Sequence, residues 1–161
     1  MGQLIIIRGP IGAGKTTLVN ALRFRLEQVS TIGINVLKRG MDATGSSNWR
    51  RDIALETALL LSEYLMERKR KIIVDIHSAS HMQLDGFAHL VTKTGYDMML
   101  IRIEAPPEGC LARVKSRDVP DITYKIDEAM VRRYWDELFK VKSEMVFNLS
   151  VMSADNIMQA L

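Results

Sequence analysis

The apolar positions of this chain change period several times, and each change marks an element. Leu4 to Ile7 is an unbroken apolar run, the pattern of a strand buried on both faces of a parallel sheet. Beyond Thr16 the spacing turns helical, with Leu18, Leu22, Leu26 and Val29 on one side and Asn20, Arg23 and Glu27 on the other. Gly33 breaks this helix, and Ile34 to Lys38 predicts a second strand. Arg39 to Asn48 (RGMDATGSSN) reads as a polar loop, with Ser47 or Asn48 capping a helix over Trp49 to Lys69. IIVDI (Ile72 to Ile76) predicts a third strand, followed by a helix near Gln83 to Thr94 that Gly95 closes. DMMLIRI (Asp97 to Ile103) is the fourth strand, and Pro107 suits the first residue of the next helix. Asp127 can cap a further helix to about Lys142, MVFNLS (Met145 to Ser150) predicts a fifth strand, and Ser153 caps a final short helix. Strands alternating with helices imply right-handed crossovers and a parallel sheet with helices on both faces. No repeat or low-complexity linker divides the pattern, which predicts one α/β domain over residues 1–161.

Composition narrows this only a little. With 161 residues, 47% apolar and 25% charged, the chain has the makeup of a soluble globular domain with a full core. A formal charge of +3 suits anionic substrates but is far from the dense basic patch that alone would argue for nucleic acid. Cys110 is the only cysteine, which excludes an internal disulfide and fits a reducing compartment. No apolar stretch approaches a membrane span, and the N-terminus runs straight into the first strand without a basic segment or cleavage site. The expectation is a cytoplasmic protein with no membrane contact. Nothing in the pattern sets an oligomeric state.

The chemistry enters where the first strand ends. Gly9 to Thr16 (GPIGAGKT) satisfies G-x-x-x-x-G-K-[ST], after a buried strand and before an amphipathic helix, where that motif has to stand. Glycines at 9, 12 and 14 let the backbone take positive φ and turn successive N–H groups onto one anion. The following helix adds the positive end of its dipole. Gly9, Gly12, Ala13, Gly14, Lys15, Thr16 and Thr17 are therefore the candidate triphosphate site, with Lys15 as a point charge and the Thr16 hydroxyl offered to Mg²⁺.

Asp75, at the end of IIVDI, stands where a Walker B carboxylate would be, able to hold Mg²⁺ through water or to pair with an arginine; it also reads as a strand-end aspartate capping the next turn. TKTG (Thr92 to Gly95) is the nearest approach to the base-reading motif of a GTPase and lacks its aspartate, so a GTPase switch is not expected. His77 and His81 have no third ligand at useful spacing, which argues against a zinc site.

The second informative stretch is APPEGCLARVKSRDVP, Ala105 to Pro120. On a helix opened by Pro107, Arg113 and Arg117 are four apart and share one face. Arginines delivered in cis are a usual source of charge for phosphoryl transfer. Together GPIGAGKTT and PPEGCLARVKSRDVP resemble the small P-loop kinases grouped around polynucleotide 5′-hydroxyl kinase, to which zeta-toxin-type, gluconate and adenylylsulfate kinases are related. In the kinase half of the bacteriophage polynucleotide kinase a strand ends in proline, a helix follows, and two arginines four apart precede Val-Pro. Pro106, Arg113, Arg117 and Val119-Pro120 reproduce the series. IDEAMVRRYWDELF is similar to the family's post-lid helix, and the chain stops where such a kinase domain would stop.

The resemblance implies a P-loop NTPase three-layer sandwich, five parallel strands in the order 2-3-1-4-5, and a short lid over about residues 113–125. It implies ATP and Mg²⁺ as cofactors, with Arg113 packing on the nucleotide and Arg117 as the catalytic lid arginine. Lys15, Arg117 and an acid acting as base would then be the catalytic set.

That base is usually an aspartate just past the second strand. Asp42 is the only acidic residue in RGMDATGSSN and lies a few residues beyond a tight match. It reads equally as the base or as a turn aspartate bonded to its own backbone, and Asp75 is the alternative base. Arg50 and Arg51 follow the loop and suit either an anionic acceptor or a solvated first helical turn. The expected activity is transfer of the γ-phosphate to an acceptor hydroxyl on a nucleic-acid 5′-end or a nucleotide. A sugar-acid or adenylylsulfate type of acceptor, and a regulatory nucleotide-binding protein, are the alternatives.

Overall fold

Leu4 to Ile7 can be apolar in both directions because their strand lies in the middle of the sheet, and all four are fully buried. The computed structural model describes residues 2–41, 48–76, 81–116, 127–138 and 145–148. The elements are β1 (Gln3–Arg8), α1 (Lys15–Arg25), β2 (Val29–Gly33), α2 (Ile34–Met41), α3 (Asn48–Glu67), β3 (Lys71–Ile76), α4 (His81–Thr94), β4 (Asp97–Glu104), α5 (Pro107–Lys115), α6 (Glu128–Leu138) and β5 (Met145–Asn148). All pairings are parallel, in the order β2-β3-β1-β4-β5. The first four strands in chain order carry the described core, and β5 joins them through its backbone pairing with β4.

Alternate side chains of the strands feed two cores. Leu4, Ile6, Ile72, Val74 and Leu100 point to one face, under α2, α3 and α4 through Ile34, Ala54, Ala58 and Phe87. Ile5, Ile7, Ile73, Ile101 and Ile103 point to the other, against Leu18, Val19 and Leu22 of α1, Cys110 of α5 and Val131 of α6. This is the three-layer sandwich with helices on both faces that the resemblance implies.

The second strand lies elsewhere than the sequence pattern predicts. Val29 to Gly33 forms β2, and Ile34 to Met41, expected as a strand and the start of a loop, is the helix α2. Ile34, Leu37 and Met41 recur at helical spacing and reach the core, whereas Val36 is 68% exposed. β2 is an edge strand, and Ile32 alone of its residues is buried, so VSTIG needs no apolar run. The first helix correspondingly ends at Arg25, with Leu26 already extended.

Local signals elsewhere hold. Gly95 follows α4 with φ +69°, a left-handed end that glycine takes at little cost. Pro107 opens α5. The Asp127 carboxylate accepts the N–H of Met130 at 2.8 Å and so caps α6. Replacing Asp127 by alanine is expected to cost about 1 kcal/mol of folding stability, read by urea unfolding. Ser47, Ser153 and the stretch from Phe139 to Lys142 lie outside the described residues.

Candidate active site

The site is built where β1 and β3 end side by side. Ile7 is in register with Asp75, and Gly33 of β2 flanks Asp75 on its other side. The chain leaves β1 at Arg8, turns through Gly9 to Gly14 and enters α1 at Lys15. Gly12 has φ +82° and Gly14, the N-cap of α1, has φ +99°. Both lie in the left-handed region that glycine occupies without a Cβ clash. The Ala13 N–H donates to Pro10 O at 3.2 Å and closes the turn.

Lys15 is buried, and its Nζ donates to Gly9 O and Pro10 O, each at 2.9 Å. The loop thus holds the ammonium that follows it. Thr16 and Thr17 are exposed in the first turn of α1.

Asp75 is half-buried as a residue, but its Oδ1 is shielded from solvent and has no hydrogen-bond donor among the described residues. Burial pushes its carboxyl above the usual aspartate range, and the Lys15 ammonium pulls it partly back. A buried carboxylate oxygen without a donor among the described residues, close to the loop lysine, has the chemistry that suits a hard cation.

Two helices from the far end of the chain grip this loop. Arg113, in the last turn of α5, donates from Nη1 to Gly12 O at 3.1 Å. The same helix lies so close that a methyl group at Gly12 would stand 2.4 Å from Cys110 O. Cys110 itself is buried, its thiol directed at Ala105 O at 3.4 Å. Arg8, the residue before Gly9, is fully buried and donates from Nη2 to Leu138 O at the end of α6. A cation suits a helix C-terminus. Its Nε and Nη1 have no hydrogen-bond partner among the described residues, and burial, with Arg102 beside it, lowers its pKa to about 10. Arg132 joins the two helices, pairing with Glu108 at 3.4 Å and Glu128 at 2.9 Å.

Nothing in the sequence pattern marked Arg8 for this role; an arginine closing an otherwise apolar central strand was the one available signal. Arg50 is buried next to the Trp49 ring, 5.9 Å from its centroid, while Arg51 is exposed and lies 3.4 Å from Asp52. Burial, Arg51 and Arg50 together push the Lys38 ammonium below its ordinary range, so Lys38 belongs to the same cationic neighbourhood. Asp42, Arg117 and His77 lie outside the described residues. The strand correction bears on Asp42: the positions just past β2 are Ile34 and Asn35, with Asp42 beyond the end of α2.

Residues 4–139 match the AAA domain family. The chain belongs to that family. No curated protein matches it in sequence. Among solved structures it is similar to a putative kinase from Chloroflexus aurantiacus, with 18% identity and a TM-score of 0.79, covering 99% of this chain and 96% of that one. A chain of the Pnkp1/Rnl/Hen1 RNA repair complex aligns with 17% identity and a TM-score of 0.73 over 86% of this chain, which spans 44% of that chain's length. The Mycobacterium tuberculosis APS kinase CysC, in complex with AMPPNP and APS, aligns with 15% identity and a TM-score of 0.68, covering 99% and 94%. At these identities the likeness is one of fold, and the fold of this AAA-domain chain is that of the P-loop kinases. No helix among its described residues is long and apolar enough to cross a membrane.

Proposed function

We propose that the protein is an ATP- and magnesium-dependent phosphotransferase that moves the γ-phosphate to an acceptor hydroxyl. The observation that carries this reading is the Lys15 ammonium, held by two loop carbonyls at 2.9 Å next to the orphaned carboxylate oxygen of Asp75. The amides of Gly12 to Thr17 and the N-terminus of α1 would bind the triphosphate. Arg113, now on Gly12 O, would exchange that carbonyl for the nucleotide, and Arg117, four residues on, would meet the transferred group in a lid over about residues 113–125. Thr16 and Asp75 would hold magnesium, which when bound neutralises charge on the phosphate oxygens. Asp42 is the proposed base for the acceptor hydroxyl and Asp75 the alternative. Arg50 and Arg51, with Lys38 beside them, would attract an anionic acceptor such as a nucleic-acid 5′-end or a nucleotide.

The test is transfer of labelled γ-phosphate from ATP to a panel of 5′-hydroxyl oligonucleotides, nucleosides, nucleoside monophosphates, gluconate and adenylylsulfate. Label on one acceptor, lost in Lys15→Ala and Arg117→Ala, is the expected result. Label on gluconate or adenylylsulfate alone moves the acceptor to the metabolite class. ATP hydrolysis that no acceptor stimulates, unchanged in Arg117→Ala, overturns the kinase reading in favour of a regulatory NTPase.

Asp75 gives a pH-dependent test. Its carboxyl is raised in the folded chain, so the fold binds that proton more tightly than the unfolded chain does. The stability this supplies is complete below the unfolded aspartate pKa and lost as pH rises through the folded value. Asp75→Asn is therefore expected to raise the Tm at neutral pH, with the two curves converging in acid. Its phosphotransfer is expected to fall at least about 100-fold. A neutral-pH Tm below wild type would reverse the assignment of Asp75 as a costly, functional charge.

A further inference from the structure

Helix α3 is apolar on two opposite sides. The inner side, Ala54, Ala58 and Met66 with Ser62, is buried against the sheet. The outer side carries Trp49 (50% exposed), Ile53 (44%), Leu60 (68%) and Tyr64 (51%), with Leu61 at its margin. At 3.6 residues per turn these four fall in an arc of about 60°, opposite the buried line, and extend about 22 Å along the axis. A surface helix ordinarily turns a polar face outward. The exposed area of these side chains is on the order of 500 Å², within the size range of the largest apolar patch on an ordinary single chain, which is often functional. No described element packs on it.

The margins of this stripe differ in charge. Toward α4 stand Asp52, Glu56 and Glu63, the last paired with Lys93 at 2.6 Å. Toward α2, at the helix end, stands the exposed Arg68, whose guanidinium lies 3.5 Å from the centroid of the Tyr64 ring; Arg50, on the same side, is buried. Glu67 is exposed beside Arg68.

We propose that this face is a homodimer interface, with the α3 helices of two copies side by side about a two-fold axis parallel to the helix. Such an axis sets Ile53 against Ile53 and Leu60 against Leu60 of the second copy. It also brings the acidic margin of one copy onto the exposed Arg68 at the helix end of the other, where Arg68 faces Glu63 and Glu67. An antiparallel pairing would set acid against acid. The stripe supplies the apolar centre and the charged margins the rim. A standard interface buries about 800 Å² per partner, so the adjoining edges of α2 and α4 complete it.

Sedimentation of the full chain tests this independently of catalysis. Wild type is expected to run as a dimer that dissociates on dilution. Leu60→Glu is expected to weaken association at least about tenfold, with unchanged thermal unfolding and unchanged binding of an ATP analogue. Arg68→Glu and Glu67→Arg should each weaken the dimer, and the double exchange should restore it, because the parallel axis pairs them across copies. A wild type that stays monomeric at every concentration reached overturns the proposal and leaves the stripe to a partner of other chemistry. A dimer that survives Leu60→Glu, or a double exchange that restores nothing, overturns it as well.

Discussion

Replacing Lys15 by methionine is expected to abolish phosphotransfer while leaving a folded protein. The Lys15 Nζ is held by Gly9 O and Pro10 O at 2.9 Å, so its position is set by the same backbone that would surround the phosphates. A charge pair at about 4 Å is worth roughly 4 kcal/mol at an effective dielectric near 20, before desolvation. Loss of one preorganised donor to a developing charge typically costs about 10²–10³ in kcat, and the buried methionine offers no substitute. The effect on folding has two opposing parts. Two loop carbonyls lose a donor, at about 1–3 kcal/mol each if nothing replaces it, while a buried charge that is costly to desolvate disappears. The Tm is therefore expected to move little while turnover falls at least about 100-fold. Removal of the ammonium also takes away a charge that lowers the Asp75 carboxyl, which should rise further. Transfer at wild-type rate in Lys15→Met would remove the phosphate loop from the reaction.

The second large effect is expected at Gly12. Its φ of +82° disfavours any side chain, and an added Cβ would stand 2.4 Å from Cys110 O and 3.0 Å from Cys110 C. The obstacle is helix backbone, which cannot rotate aside as a flexible side chain can. Left-handed strain of about 1–2 kcal/mol and overpacking of about 1–3 kcal/mol give Gly12→Ala an expected loss of about 2–5 kcal/mol in urea unfolding. Nucleotide affinity should fall with it, because relief of the clash has to move the loop, α5, or both, and with them the Arg113 contact to Gly12 O. Gly109→Ala is the control on the same helix: no atom lies within 4 Å of its added Cβ, so the change is expected to be neutral or stabilising by about 0.5–1 kcal/mol. Equal losses at both positions would show that helix α5, and not its approach to the loop, is what matters.

The sequence by itself determined the parts whose causes are local. A run of four apolar residues demands burial on both faces, which made β1 the centre of the sheet. Glycines at 12 and 14 supply the positive φ the loop needs; Pro107 and Asp127 begin their helices through their own φ and carboxylate. The order of strands followed from alternation and the family pattern together, and survived a misplaced second strand. What the tertiary structure decided are relations between distant residues, which no periodicity records. β2 is an edge strand, so its burial pattern is too sparse to read, and the apolar spacing of α2 drew the strand past its true end. Arg8 meets Leu138 130 positions away, and Arg113 meets Gly12 101 positions away. Asp75 acquires its raised carboxyl from the walls closed around it, not from its neighbours in the chain. The outward stripe of α3 looks in sequence like any buried helix face. Only the packing shows which of its two apolar sides the sheet covers, because burial belongs to the assembled layers and not to the helix.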